Sequence, residues 1–461
     1  MSAGNWLKEH IEARRDEYCK LSDAIWEHPE IGFQEYYAIE LLQNALEKSG
    51  FTVEDGLAGI PTAFRGTYGS GSPVIGFVAE FDALAGMSQK EDCLEETPVC
   101  SGGPGHGCGH NLLAVSPLAA AVAAKDYLEV NGLSGTVIYF GCPAEESGCG
   151  KSFMTREGVF KNVDVVLTWH PGDGNAVVGV SNLASVQVKY HFKGKPAHAA
   201  SSPHKGRSAL DAAELMNMGV QFLREHIPSD MRIHYSFLDA GGEAPNIVQS
   251  HATLLYSIRG PKAEQALEAV EWVADIAKGA ALMTHTAVEI ESVSGLLEYI
   301  PNKVLGEVVH DAWKEVGEIA YSPAAEAANR RYSQIVEPVD AEKPMLRAIP
   351  PEYTHTPEVH KPVSNDLGDI SYVVPTGKIQ VACYTKGTPG HSWQMVTQGR
   401  SEMAHDGMIH AGKVLAAAAV RLYENPSLVQ LANEELVGVT GRKYPCLLPA
   451  DKQPDCQKQP D

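Results

Sequence analysis

Apolar positions recur at helical spacing over residues 6–25 and 37–46, and Gly50 follows the second run where a helix stop belongs. The pattern then changes. Pro73-Val-Ile-Gly-Phe-Val-Ala is continuously apolar, as a strand buried on both faces is, and it ends at Glu80 and Asp82. Residues 135–140 and 163–169 repeat the plan, ending in Pro143-Ala-Glu145-Glu146 and in His170-Pro-Gly. Helical stretches separate these runs, and the Ala-rich one over residues 112–125 falls short of the roughly twenty residues of a membrane span, so it reads as a buried helix. Such alternation predicts an α/β fold: a mixed, mostly parallel sheet flanked by helices. Ligands of such sheets sit beyond the carboxyl ends of the strands, where these polar residues cluster.

Between residues 183 and 298 the order becomes strand, helix, two strands, helix, strand: 186–192, 209–223, 233–237, 252–258, 263–282 and 288–293. This predicts an inserted α+β unit of ferredoxin-like plan. The first domain, residues 1–182, resumes over 299–448 with a helix near Asn302, a loop-rich stretch to Pro362, a strand over 379–384 and a helix over 402–423. Residues 449–461 are polar and rich in Pro and Gln, which predicts a disordered tail.

Charge narrows the partners. With 37 basic and 58 acidic residues the formal net charge is −21, which repels phosphate backbones and anionic membranes and argues against both as partners. The N-terminal segment lacks the apolar core of a signal peptide, and nine irregularly spaced cysteines suit reduced thiols, so a cytoplasmic location is expected.

Four clusters carry candidate chemistry. Cys108 and His110, in His106-Gly-Cys-Gly-His-Asn, offer a thiolate and an imidazole two residues apart, although such a pair alone is more often a buried thiol beside a loop histidine. Glu145 and Glu146 repel each other unless a cation or shared proton intervenes, which leaves either a solvated loop or a ligand beside a proton acceptor. His170 ends one strand, and His391 lies in Thr388-Pro-Gly-His-Ser-Trp-Gln. Each histidine singly is more often structural. The four clusters converging on one sheet edge favour a metal site.

In this order and spacing, Cys-Gly-His-Asn, Pro-Ala-Glu-Glu, Trp-His-Pro and Thr-Pro-Gly-His-Ser-Trp-Gln resemble the dinuclear metallopeptidase family of aminoacylases, carboxypeptidase G and indoleacetyl-amino-acid hydrolases. That resemblance implies a zinc-exopeptidase-like catalytic domain and two divalent metal ions, zinc or manganese. It makes Cys108, His110, Glu146, His170 and His391 the ligands and Glu145 the general acid/base, with Asp82 hydrogen-bonded to a ligand histidine. It implies that His198, in Gly194-Lys-Pro-Ala-His, stabilises the oxyanion, often across a dimer interface, and that Asn246 and Arg259 hold the substrate carboxylate. The inserted domain would then be a lid and the surface of a homodimer.

The implied reaction is hydrolysis of the amide in small N-acyl or N-aroyl amino acids such as p-aminobenzoyl-glutamate. A dipeptidase or carboxypeptidase using the same metals is the near alternative, and a non-catalytic metal-binding protein the distant one. A thiol-redox role for Cys108 lacks a Cys-x-x-Cys partner. Residues 87–105, with Cys93 and Cys100, are expected to border the site, and His28 to serve packing.

Overall fold

The computed structural model describes residues 3–336, 348–350 and 352–456. Its main sheet has seven strands in the order Thr52–Asp55, Phe64–Ser70, Gly135–Cys142, Val74–Glu80, Val165–Gly172, Thr376–Ala382 and Ala176–Val177. The four strands from Gly135–Cys142 to Thr376–Ala382 run parallel, and the edges are antiparallel, so the sheet is mixed and mostly parallel.

Alternation decides what each face of the sheet covers. Phe77, Tyr139, Leu167, Trp169, Ile379 and Val381 join the helices His110–Asn131, Lys303–Val316 and Glu402–Glu424 in one large core. Val78, Phe140 and Val166 point the other way, against Phe153 of helix Gly150–Arg156 and Ile370 of helix Leu367–Val373. Helix His110–Asn131 is buried over most of its surface, as an all-round apolar helix must be.

The inserted domain has four antiparallel strands in the order Ala287–Leu296, Ala184–Lys193, His251–Gly260, Arg232–Asp239, a ferredoxin-like plan. Helices Ala209–Leu223 and Ala263–Thr284 cover one sheet face through Val188, Tyr190, Leu254, Tyr256 and Ile258. Ser185, Gln187 and Arg259 belong to the other face, which borders the main cleft. The chain's two crossings between the domains lie side by side: Ser181 Oγ donates to Tyr299 O at 2.7 Å, and Tyr299 N donates to Asn182 Oδ1 at 2.6 Å.

Several elements depart from the pattern reading. The helix read over residues 6–25 is two helices, Ala3–Ala13 and Arg15–Glu27. The edge strands Thr52–Asp55 and Phe64–Ser70 carry too few apolar residues to stand out, and the stretch read as loop-rich holds helix Pro323–Tyr332 and strand Thr356–His360. Residues 337–347 of that stretch lie outside the described residues.

The tail is a further correction. Read as disordered from Pro449, its described part to Cys456 is tied to the catalytic domain: Arg156 Nη1 donates to the carbonyls of Pro449 at 3.3 Å and Lys452 at 2.9 Å. Just before it, Tyr444 and Leu447 pack on the inserted domain's core, while Leu448 is buried in the catalytic domain. A segment held by its carbonyls needs no apolar pattern, so composition gave no warning. Residues 457–461 lie outside the described residues.

Candidate metal centre

Backbone geometry presents the first cluster. Gly109 adopts φ +74°, and a Cβ there would lie 2.2 Å from the Tyr384 hydroxyl and 2.8 Å from Pro171 Cγ. Only glycine satisfies both the left-handed turn and the close approach. The turn starts helix His110–Asn131 and leaves Cys108 and His110 facing one point.

Strand ends bring in the rest. Ala144, at φ +56°, turns the chain just past strand Gly135–Cys142, so Glu145 and Glu146 re-enter the cleft. Ala144 N donates to Glu35 Oε1 at 2.8 Å, a buried carboxyl that holds this turn. His170 lies inside strand Val165–Gly172 and not after it; its Nδ1 donates to Pro171 O at 2.7 Å, leaving Nε2 facing Cys108 Sγ at 3.4 Å. His391, at φ +51°, approaches from the loop after strand Thr376–Ala382, its Nε2 3.4 Å from Glu146 Oε1.

Three candidate donor groups result among the described residues, one of them Glu80, His110 and Glu145. Donor atoms of Cys108, His110 and His170 lie within 4.8 Å of one another, as do those of Cys108, Glu146 and His391. Cys108 belongs to both, so these donors would suit two cations, with the thiolate within reach of each group. Buried His110 Nε2 and Glu146 Oε1 have no hydrogen-bond partner among the described residues. Buried polar atoms without partners are costly, and a cation between these donors satisfies them.

Electrostatics agrees with that fit. Burial pushes the Cys108 thiol up, but the imidazoles of His170 and His110 outweigh it and bring it down to about 6, a thiolate at neutral pH. Burial likewise opposes ionisation of Glu146, yet His391 and His110 hold it down to about 2. Glu145 behaves oppositely. Burial and the nearby Glu80 and Asp366 carboxylates raise its pKa well above the ordinary value, against Lys151. The adjacent pair is thus split, with Glu146 held ionised and Glu145 pushed toward its protonated form.

Behind these candidate donors, Asp82 Oδ1 pairs with His110 Nδ1 at 2.9 Å while Oδ2 accepts from Glu146 N at 2.9 Å. Pattern reading missed the next layer. Lys151, fully buried, lies 2.9 Å from Glu80 Oε1 and 2.5 Å from Asp366 Oδ1, and Glu80 Oε2 stands 3.3 Å from His110 Nε2. Glu80 ends an apolar strand, which is a visible signal. Lys151 opens an ordinary-looking helix and gave none.

The inserted domain contributes unevenly. Arg259, registered opposite Ser185, lines the cleft of about 930 Å³ together with Glu145, Glu146, His170 and His391. His198 and Asn246 are exposed and do not line it. They sit together past the strand ends, joined by the Ala199 N to Asn246 O bond at 2.9 Å and the His198–Ile247 bridge. Asn246 and Arg259 are thus not neighbours in the cleft of one chain, because the strand carries Arg259 away from that loop.

Residues 87–105 do not line the cleft either. The loop is tied to helix Trp393–Gln398, where Cys93 N donates to Thr397 Oγ1 at 2.8 Å, and Cys93 and Cys100 are free thiols outside the candidate donor groups. His28 packs against Tyr37, with ring centroids 4.1 Å apart and the planes tilted by 32°.

Comparison with known proteins gives a consistent picture. Residues 178–284 match the model of the peptidase dimerisation domain of the M20 group. The chain is 41% identical over 471 residues to one of the two kinds of p-aminobenzoyl-glutamate hydrolase chain of Escherichia coli, covering 97% of this chain and 98% of that protein. It is 28% identical to the human Xaa-Arg dipeptidase over 93% of this chain and 90% of that protein. Among solved structures, an aminobenzoyl-glutamate utilization protein from Klebsiella pneumoniae superimposes with a TM-score of 0.60 at 17% identity, covering 91% of this chain and 99% of that one. A dinuclear metal-binding M20 peptidase from Bacillus subtilis gives a TM-score of 0.59 at 18% identity, covering 90% and 99%. The chain belongs to the M20 family of metallopeptidases and amidohydrolases, in the branch that holds this p-aminobenzoyl-glutamate hydrolase.

Proposed function

We propose that the chain is a metal-dependent amidohydrolase that cleaves the amide of N-acyl or N-aroyl amino acids, p-aminobenzoyl-glutamate among them. The carrying observation is the pair of three-donor sets sharing Cys108, with Glu145 beside them in the same cleft. Cys108, His110, Glu146, His170 and His391 would hold two divalent ions, zinc or manganese, and these would supply Lewis acidity toward water and the scissile carbonyl.

Glu145 takes the proton of the attacking water and returns it to the departing amine, a role that a raised carboxyl pKa suits. Asp82 fixes the tautomer of His110 so that Nε2 faces the donors. The Arg259 side chain makes no hydrogen bond or ion pair among the described residues, and its planar fork would receive the substrate carboxylate.

His198 and Asn246 serve a second copy in this reading. They lie outside their own cleft, and helix Ala209–Leu223 of the same domain exposes Leu215, Met218 and Phe222, an apolar face suited to a homodimer. No described helix is long and apolar enough to cross a membrane, and all nine cysteines are free, which accords with a cytoplasmic enzyme.

The test is metal analysis together with a substrate panel of aminobenzoyl-glutamate, acetyl-amino acids and dipeptides. About two divalent ions per chain and turnover of the aroyl substrate are the expected results. Cleavage of dipeptides alone would make the chain a dipeptidase. Glu145→Gln should retain its metal and lose about 10²- to 10⁴-fold in kcat; unchanged turnover would remove Glu145 from the mechanism and favour a binding protein.

A further inference from the structure

Lys378 has no place in the reaction so far. It lies on strand Thr376–Ala382, in register with Thr168, and Gln380 stands beside His170 on the neighbouring parallel strand. Because Ile379 and Val381 are buried in the large core, Lys378 and Gln380 share the opposite sheet face, which is the face of His170. Two residues along a strand is about 7 Å, so a lysine stem spans the gap between its own backbone and a substrate seated at His170.

The side chain lines the cleft, and no hydrogen bond or ion pair holds it among the described residues. Lys361, which follows edge strand Thr356–His360 and is anchored by its N–H to Ser181 O at 3.0 Å, lines the same cleft and is likewise without such a partner. Burial lowers the pKa of Lys378; Glu80 and Glu145 oppose this, and Lys361 adds to the lowering. Two ammonium groups lining one cavity and repelling each other cost free energy that an anion between them recovers.

We propose that Lys378 and Lys361 form a subsite for a second carboxylate, so that the amino acid released by this enzyme is dicarboxylic. The inference rests on the amidohydrolase reading and deepens it. Arg259 takes the α-carboxylate from the lid side, and the lysines take the side-chain carboxylate from the sheet. Lys378 and Lys361 are therefore specificity-determining residues, and a neutral side chain in the same place would leave both ammonium groups unpaired.

Aminobenzoyl-glutamate and aminobenzoyl-glutamine test this, because they share a shape and differ by one charge. The metal-loaded enzyme should favour glutamate in kcat/KM by at least about tenfold, or about 1.4 kcal/mol. Lys378→Met and, separately, the more exposed Lys361→Met should shrink that ratio toward one, chiefly through the KM of the glutamate substrate, while Lys378→Arg should restore part of it. Losses equal on both substrates would make Lys378 a support for Glu145 and overturn the subsite. Hydrolysis of both substrates at similar rates by the unaltered enzyme would overturn it too, leaving the amidohydrolase reading intact. Failure to hydrolyse either would defeat that reading and the subsite with it.

Discussion

Asp82 bonds His110 through one carboxylate oxygen and the backbone N–H of Glu146 through the other, both at 2.9 Å, so one buried side chain sets the positions of a donor in each ligand set. Removing it loosens both sets together. Asp82→Ala should weaken metal binding by about 10- to 100-fold, measured by competition with a chelator, and an unchanged affinity would show that His110 needs no such support.

The turn at Gly109 makes a separate demand. Gly109→Ala places a Cβ 2.2 Å from the Tyr384 hydroxyl and at a φ of +74°. A loss of about 1–3 kcal/mol in stability is expected, with reduced metal content. Tyr384→Phe in the same chain should recover only the part due to the hydroxyl, leaving the parts due to φ and to Pro171 Cγ at 2.8 Å. If the single variant binds metal and melts like the parent, the turn does not constrain the site.

Glu35 gives stability a pH dependence. Burial and the Asp82 carboxylate raise its pKa to about 8, above the ordinary carboxyl value, so the folded state binds a proton that the unfolded chain gives up. That contribution is complete below the unfolded pKa and fades as pH climbs toward about 8. Glu35→Gln keeps an acceptor for Ala144 N without a titrating charge. Denaturant melts between pH 5 and 8 should therefore show a flatter stability profile for the variant; parallel profiles would count against a protonated Glu35.

Mixing of variant chains separates the roles of His198 and Glu145. If His198 acts in a partner's cleft, His198→Ala and Glu145→Gln chains are each inactive alone, and mixed dimers hold one intact site. Random reassociation should restore about a quarter of the parent activity. No recovery from verified mixed dimers would place His198 outside the reaction or in its own cleft.

How much of this was legible beforehand depends on how each residue is held. Buried parallel strands announce themselves as apolar runs, and Glu80, Glu145 and His170 were visible because they interrupt or end such runs. Cys108 and His391 needed their glycine-rich surroundings and the family resemblance. Lys151 and Glu35 were invisible, since a buried charge is made tolerable by partners far along the chain, 215 residues away for Lys151 and Asp366. Edge strands with half-polar faces were lost for a related reason: their pattern is set by one neighbour and by solvent.

The segment around Tyr444 to Leu448 touches the cores of both domains, while the two covalent crossings lie bonded together at Ser181, Asn182 and Tyr299. Mechanically, the paired crossings resemble a hinge pin, and the C-terminal segment is a strap fastened beside one of them, with Leu447 against Gly295 and both Tyr444 and Leu297 bonded to Asp369. A strap there ties the inserted domain to the catalytic one a third time, without a covalent crossing. Its continuation places Lys452, Gln453 and Asp455 in the cleft wall, so the segment that ties the two domains together also borders the site between them.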